Sequence, residues 1–162
     1  MLFRSPMIPK ISFTGSTAVG RSILAAASQR VAAVTLELGG KSAQIVFPDV
    51  DCDFVTEGVI TAMRFSRQGQ SCTAGSRLFV HESIADRLID RLSGRLRAMR
   101  VGDPLDESSD AGSLVNEKQF RRVCGFVQEA IERKPEALLL GGMPPVQGPL
   151  SKGYFFEPTL FF

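Results

Sequence analysis

A short strand, a glycine turn and a helix follow one another near the start of the sequence, and this order constrains the fold most. Residues 11–14 have the character of a strand, and glycines follow at positions 15 and 20. Apolar residues then recur with helical spacing, at Val19, Ile23, Ala26 and Ala27. Because the first N–H groups of a helix have no partner within it, the turn predicts an anion-binding site. Together with the length of 162 residues, the pattern predicts a globular α/β chain.

The glycine turn also allows a second interpretation. Residues 15–22 differ by one substitution from the phosphate-loop pattern G-x-x-x-x-G-K-[ST]. Arg21 stands where the pattern has lysine, and the two residues are not interchangeable at a phosphate. The next strand ends in Leu36-Glu37-Leu38, without a magnesium-binding aspartate. A phosphate-loop nucleotide-binding module is therefore the less favoured alternative.

A cysteine in an unusual setting is the first candidate for catalysis. Cys72 lies between glycines and small hydroxyl residues in segment 67–77, with an arginine five residues to either side. This segment is too polar and too rich in glycine for the middle of a helix or a core strand. Glycines let the backbone approach a ligand closely, and nearby cations favour thiolate over thiol. The segment thus predicts a nucleophile, whereas the alternative is a loop that happens to contain cysteine.

A single carboxylate in an apolar strand is the second candidate. Glu37 is flanked by Leu36 and Leu38, and the strand ends at Gly39-Gly40. A buried carboxylate is costly in its charged form, which suits a general base. Taken alone, Glu37 is equally well explained as an outward-facing strand residue.

Three motifs together resemble the NAD(P)-dependent aldehyde dehydrogenase superfamily. They are Phe-Thr-Gly-Ser-Thr-Ala-Val-Gly at 13–20, Leu-Glu-Leu-Gly-Gly-Lys-Ser at 36–42 and Gly-Gln-Ser-Cys-Thr-Ala-Gly-Ser-Arg at 69–77, and the resemblance runs from about Pro6 to Phe162. It implies an incomplete fold of that family, with an open, largely parallel sheet and flanking helices. It also implies that residues 1–40 are the C-terminal remnant of a Rossmann-like NAD(P)-binding domain. Residues 41–162 would then be the N-terminal part of the thiol-bearing catalytic domain.

The resemblance further implies roles for individual residues. Cys72 would attack an aldehyde and pass through a thiohemiacetal and a thioester, and Glu37 would activate the water that hydrolyses the thioester. NAD or NADP would be the cofactor, and the residues that contact it would be Gly15, Ser16, Val19, Leu38, Gly39 and Gln119. Gln119 is equally well explained as the third residue of a capping box that begins at Asn116. The mechanism requires Glu37 and the Cys72 sulfur to lie within roughly 5–8 Å, with room for one water.

The length of the sequence adds expectations about the chain as a piece of a longer enzyme. Family members are much longer, and an upstream asparagine that helps to stabilise the oxyanion is missing, as is a downstream Glu-Ile-Phe-Gly-Pro region. We therefore expect a truncated chain that is inactive alone, with a catalytically dead fragment as the alternative. The parent enzyme would be a homo-oligomer acting on a small aldehyde, and the chain lacks the oligomerisation arms. Strands 11–14 and 34–38 are expected to expose apolar faces.

Composition excludes several other classes of protein. The formal net charge is only +2, so no polyanionic partner is implied, and the arginines of helix 84–99 are interleaved with aspartates. Three scattered cysteines form neither a disulfide framework nor a metal site, which favours the cytoplasm. His81, the one histidine, is expected merely to end a strand. Residues 1–10 do not resemble a signal peptide, and no apolar run is long enough for a membrane span.

The remaining elements follow from periodicity and capping signals. Strands are predicted at 43–47, 78–80 and 138–140, the first of them buried. A helix should run to about Phe65, capped by Asp51 or Asp53, and further helices should cover 84–99 and 116–133.

Overall fold

The chain forms two compact units in the computed structural model, which describes residues 2–50 and 52–162. The first unit ends at Lys41, and the second is Ser42–Phe162. The boundary predicted from the sequence lies one residue away, between Gly40 and Lys41. That the first part belongs to a cofactor-binding domain and the second to a thiol-bearing domain stays a prediction.

The first unit is a strand–helix–strand arrangement. Strand β1 (Lys10–Gly15) pairs in parallel with β2 (Ala33–Leu38), and helix α1 (Thr17–Ser28) connects them. Parallel strands need such a crossover, because the end of one and the start of the next lie at opposite edges. The core of the first unit consists of residues that alternate along the strands or recur along the helix. Its buried members are Ile11, Ile23 and Ala27, and they pack against Phe13, Val34 and Leu36.

The second unit begins with another parallel pair. Strand β3 (Ala43–Val46) pairs with β4 (Arg77–Val80), and helix α2 (Cys52–Met63) lies between them in sequence. Helix α3 (Glu82–Ala98) follows β4 and packs against α2. The core of this unit comes from β3 and from one face of each helix, namely Val46, Val59, Ile84, Leu88 and Leu92.

Helix α3 presents its arginines to acidic residues of α2. Arg91 forms an ion pair with Asp53. Nε and Nη2 of Arg95 both donate to the Glu57 carboxylate, and the bond from Nη2 to Oε2 measures 3.1 Å. The hydrogen bond from Arg95 lowers the pKa of Glu57 below its ordinary value. The arginine face is thus partly neutralised within the fold, which agrees with the predicted solvated face.

The last part of the second unit is helix α4 (Glu117–Arg133) and an antiparallel pair. Strand β5 (Leu138–Leu140) pairs with β6 (Leu160–Phe161). Asn116 caps α4 as predicted, because its Oδ1 accepts the N–H of Gln119 at 2.9 Å. Helix α3 is capped by His81, whose Nδ1 accepts the N–H of Ser83 at 3.3 Å. The expectation that His81 merely ends a strand was therefore incomplete.

The predicted α/β class is confirmed. One of the two predicted caps of α2 is excluded, and the prediction that β3 is buried was wrong. Asp53 lies inside α2 and pairs with Arg91, so it is not the cap of that helix; Asp51 lies outside the described residues. Strand β3 is not buried throughout, because only Val46 is buried and Ile45 is 68% exposed. Within residues 2–50 and 52–162, the strands form three separate two-stranded sheets, of which two are parallel.

Candidate functional site

Cys72 lies in the loop between α2 and β4, here called the Cys72 loop (residues 64–76). A 3-10 turn at Phe65–Arg67 opens the loop, and left-handed backbone conformations flank it, at Arg64 (φ 61°), Gln68 (φ 53°) and Gly69 (φ 65°). Non-glycine residues adopt this region rarely, and when they do, the surrounding contacts must hold them there. The loop therefore has a defined shape.

The C-terminal end of the Cys72 loop is fixed to the body of the second unit. The N–H of Gly75 donates to the Ala62 carbonyl at 3.0 Å, and Gln44 Nε2 donates to the Gly75 carbonyl at 2.6 Å. A Cβ at position 75 would lie 2.6 Å from Gln44 Cγ, so only glycine fits beneath that side chain. These contacts tie the loop to α2 and β3 directly after the thiol.

Among the residues that the structure describes, the backbone around Cys72 leaves one donor without a partner. Ser71 Oγ accepts the N–H of Thr73 at 3.3 Å, and the Ser71 carbonyl accepts that of Ala74 at 3.2 Å. No hydrogen bond of the Cys72 N–H is found among the described residues. The exposed thiol and a free N–H thus belong to one residue, and a free N–H beside a nucleophile can stabilise an oxyanion.

The other two cysteines have different surroundings. Cys52 is buried in α2, and Cys124 is half-buried on α4, where desolvation raises the pKa of its thiol above the ordinary value. All three cysteines are free. Cys72 is therefore the exposed one of the three and the best placed to act as a nucleophile.

The residues predicted to contact a cofactor lie mostly at one end of the first unit. Gly15 ends β1 opposite Leu38, which ends β2, and Ser16 caps α1 by accepting the N–H of Val19 at 3.4 Å. This cap leaves the N–H groups of Thr17 and Ala18 without a partner among the described residues. The carboxyl ends of parallel strands beside a helix N-terminus are where α/β proteins bind phosphate-containing ligands.

Two glycines give this end of the unit its shape. A Cβ at Gly15 would lie 2.5 Å from Phe13 Cζ, and one at Gly20 would lie 3.0 Å from Leu38 Cδ2. Gly20 is buried inside α1, where it lets the helix pack on β2. Gly15 and Ser16 are exposed and fit the close approach of a pyrophosphate to the backbone. The second glycine of the phosphate-loop pattern thus serves helix packing, and the phosphate-loop alternative loses its main support.

Glu37 lies at the same end, and of its two alternatives the outward-facing one is confirmed. Exposed and half-buried residues alternate along β2, and Glu37 belongs to the exposed set. The physical reason is the two-residue period of a strand, which turns Leu36 and Leu38 inward and the carboxylate outward. Glu37 is paired in register with Thr14 and is followed by Gly39, which is also exposed.

The structure thus gathers six of the predicted site residues in the first unit and two in the second. The first six are Gly15, Ser16, Val19, Glu37, Leu38 and Gly39, and the other two are Cys72 and Gln119. Gln119 is half-buried in the first turn of α4, where its N–H takes part in the cap. The approach of Glu37 to Cys72 stays a prediction.

Three further polar residues hold the Cys72 loop and were not singled out from the sequence: Gln44, Gln68 and Gln70. Gln68 and Gln70 flank Gly69 in the sequence, whereas Gln44 has no such signal. In the part of the chain that the structure describes, no group of three potential metal ligands is found. Nor does any helix there have the length and apolar character needed to cross a membrane.

Comparison with known proteins decides the family. Residues 1–162 match the family model of the aldehyde dehydrogenase family. The chain belongs to the aldehyde dehydrogenase family. It is 41% identical over 152 residues to betaine aldehyde dehydrogenase of Brucella anthropi, covering 94% of this chain and 31% of that protein. It is 43% identical over 156 residues to hydroxyisobutyraldehyde dehydrogenase of Mycolicibacterium austroafricanum, covering 96% of this chain and 30% of that protein.

Solved structures that are similar to the chain have the same fold. PnpE in complex with nicotinamide adenine dinucleotide superimposes with a TM-score of 0.92 at 39% identity, over 98% of this chain and 32% of that chain. HpcC from Thermus thermophilus gives a TM-score of 0.91 at 36% identity, over 99% of this chain and 32% of that chain. The predicted family and its incomplete fold are confirmed. The chain spans about a third of the length of the relatives that it matches.

Proposed function

We propose that this chain supplies the nucleophile and the general base of an NAD(P)-dependent aldehyde dehydrogenase, which oxidises a small aldehyde to a carboxylic acid. The observation that carries the proposal is Cys72. It is an exposed thiol whose N–H has no partner among the described residues, held in an anchored loop of a chain that matches the family model. A cysteine with only a structural role would not need an exposed thiol in an anchored loop.

The first chemical step belongs to Cys72. Its thiolate attacks the aldehyde carbon, a C–S bond forms, and the carbonyl oxygen becomes the oxyanion of a thiohemiacetal. The Cys72 N–H is free to donate to that oxygen, where charge develops. When bound, the nicotinamide would take up the hydride that the thiohemiacetal loses, which leaves a thioester on Cys72.

The second step belongs to Glu37. Its carboxylate takes a proton from water, and the water oxygen attacks the thioester carbon. The C–S bond breaks, the carboxylic acid leaves, and the Cys72 thiolate is restored. Exposure of Glu37 in the first unit is compatible with this role, because the carboxylate is accessible to water.

The cofactor would be held by the residues at the carboxyl ends of β1 and β2. Gly15, Ser16 and the first turn of α1 fit the pyrophosphate, and Val19 is exposed beside them. Leu38 and Gly39 would lie toward the nicotinamide, and Gln119 near its ribose. PnpE, which the chain resembles over 98% of its length, was solved with NAD. We propose NAD or NADP for this chain.

Small aldehydes are the proposed substrates, since the relatives are named for betaine aldehyde and hydroxyisobutyraldehyde. We further propose that the enzyme works in the cytoplasm as a homo-oligomer, without nucleic acid or membrane partners. Three free thiols support a reducing compartment.

Protection of Cys72 from alkylation tests the proposed function without requiring turnover. The purified chain is treated with iodoacetamide, with and without a small aldehyde, and each cysteine is quantified by peptide mass spectrometry. We expect the aldehyde to slow alkylation of Cys72 while Cys124 serves as an internal control. Isothermal titration with NAD and NADP, repeated on the Gly15→Val variant, tests the cofactor end of the first unit. Equal protection of both thiols, or cofactor binding that is unchanged in Gly15→Val, would refute the proposal.

A further inference from the structure

Gln70 connects the Cys72 loop to a distant part of the second unit. Its Oε1 accepts the N–H of Val115 at 3.1 Å, and its Nε2 donates to Gln68 Oε1 at 3.1 Å. Val115 directly precedes Asn116, the cap of α4. A side chain two residues before the nucleophile therefore contacts the backbone that leads into the helix carrying Gln119.

Gln68 strengthens the same connection. With its amide turned by 180°, its oxygen accepts the N–H of Gly112 at 2.8 Å and its nitrogen donates to the Ser113 carbonyl at 3.2 Å. This orientation gives two bonds to residues 112–113 and loses the bond from Gln70 Nε2, whereas the other orientation keeps that bond at 3.1 Å and donates to the Ser66 carbonyl at 3.3 Å. The bond between Gln70 Oε1 and the Val115 N–H is present in both cases.

The backbone between these two side chains needs such support. Gln68 has a φ of 53° and Gly69 a φ of 65°. A non-glycine residue keeps this conformation only when its surroundings determine it, and such residues cluster at functional sites. Backbone hydrogen bonds hold the segment locally, and the contacts of Gln68 and Gln70 with residues 112–115 add support from outside the loop.

We propose that Gln70, assisted by Gln68, is a positioning residue for Cys72. It fixes the Cys72 loop against residues 112–115, so that the thiol and the N-terminus of α4 keep one relative position. The inference rests on the proposed function for one point only, that Cys72 is the nucleophile. Its consequence is that the thiol and Gln119, the proposed ribose contact, are aligned by two amide side chains.

The test compares two variants of Gln70. Gln70→Leu removes both the acceptor and the donor of the side-chain amide, and Gln70→Glu keeps an acceptor for the Val115 N–H. Gln128→Leu is the matched control, since Gln128 is exposed and bonds to Glu132 of its own helix at 2.9 Å. Exposed thiols of the purified chain are alkylated with bromotrifluoroacetone, and fluorine NMR reads the tags. The tag on Cys124 gives an internal reference on α4. Amide hydrogen exchange of Val115 is measured on the untagged proteins.

In Gln70→Leu, we expect the Cys72 resonance to broaden at least about twofold or to split, while the Cys124 resonance is unchanged. Val115 should exchange about three- to tenfold faster, as befits one lost hydrogen bond. In Gln70→Glu, the exchange rate of the Val115 amide should stay within about twofold of the rate in the wild-type chain. Gln128→Leu should alter neither the Cys72 resonance nor the Val115 exchange.

An unchanged Cys72 resonance in Gln70→Leu would overturn the proposal. So would new labelling of Cys52, which is 5% exposed, because general loosening would then explain the result. If Gln70→Leu does not fold, Gln70→Glu decides: Val115 exchange within about twofold supports the positioning role, and faster exchange refutes it. Neither aldehyde nor NAD enters this test, so its failure is distinguishable from failure of the proposed function.

Discussion

Glu37 and Cys72 reach solvent in different ways. Glu37 does so because alternation along β2 turns every second side chain outward, and Cys72 because a loop with left-handed residues projects it. A base in contact with water can take a proton from it, and its contribution to the rate then depends on its position relative to the acyl group.

Replacing Glu37 by glutamine should therefore affect hydrolysis of the thioester and not its formation. We expect aldehyde oxidation by the protein carrying this sequence to fall about 10²–10⁴-fold, the usual contribution of a general base. Acylated Cys72 should accumulate and be visible as a mass increase of the intact protein. Glu136→Gln, at an exposed acid in the 3-10 turn Pro135–Ala137, is the control and should retain activity. Equal activity of the two variants would argue against the assigned role.

The site residues differ in how far the sequence could predict them. Cys72 and Glu37 were found because their types are unusual in their segments, which is local information. The sequence left the burial of Glu37 open, because flanking leucines suggest a buried strand whereas a strand exposes alternate residues. The role of Gln70 could not be predicted, because its partner Val115 is 45 residues away and periodicity carries no information about such a contact.

Among the elements, α1 depends on one glycine for its contact with β2. Gly20 is buried, and its ideal Cβ position lies 3.0 Å from Leu38 Cδ2 and 3.4 Å from Leu36 Cδ1. A methyl group there would press on both side chains, and a larger group would have to move the helix.

Gly20→Val should therefore destabilise the first unit, by about 1–3 kcal/mol, the usual cost of overpacking. Ala25→Val, at an exposed position of the same helix, should lose less than about 1 kcal/mol through helix propensity alone. Amide hydrogen exchange along α1 measures both losses. If the two variants exchange alike, the packing role assigned to Gly20 is wrong.

Most elements were predictable because their signals are local. The buried face of α3 was predicted correctly at Ile84, Leu88, Leu92 and Leu96, and the cap of α4 at Asn116. The start of α3 was predicted two residues late, because imidazole is not among the usual capping groups. Asp53, one of the two residues predicted to cap α2, instead pairs with Arg91 on another helix, a contact that local signals do not show.

At the scale of the whole molecule, the apolar surface lies elsewhere than expected. The outward residues of β1 and β2 are mostly polar, including Ser12, Thr14, Thr35 and Glu37. On β3 and β4, by contrast, Ile45 and Phe79 are paired in register and are 68% and 53% exposed. The expectation of apolar faces on strands 11–14 and 34–38 was wrong, because their apolar residues face α1.

This surface should make the chain bind apolar dyes and self-associate. The double variant Ile45→Thr, Phe79→Thr keeps strand-favouring side chains, and we expect it to lower dye fluorescence at least about twofold. Leu105→Thr removes a side chain that is 91% exposed in the loop after α3 and should have little effect. Dye titration and light scattering measure the outcome. A similar decrease in dye fluorescence in the double variant and in Leu105→Thr would show that the strand face bearing Ile45 and Phe79 is not the main dye-binding surface.

The parallel pairing of β3 with β4 also has a consequence for synthesis on the ribosome. Ala43 pairs with Arg77, 34 residues later in the chain, and at about 5–20 residues per second β3 waits about 2–7 s for its partner. Closing so long a segment has an entropic cost that no hydrogen bond of the pair offsets until β4 has emerged. Helix formation is complete within about a microsecond, so Val46 can pack against Val59 of α2 well before β4 exists. The buried side of β3 is thus protected early by its crossover helix, whereas its backbone and the side bearing Ile45 stay open to chaperones throughout the wait.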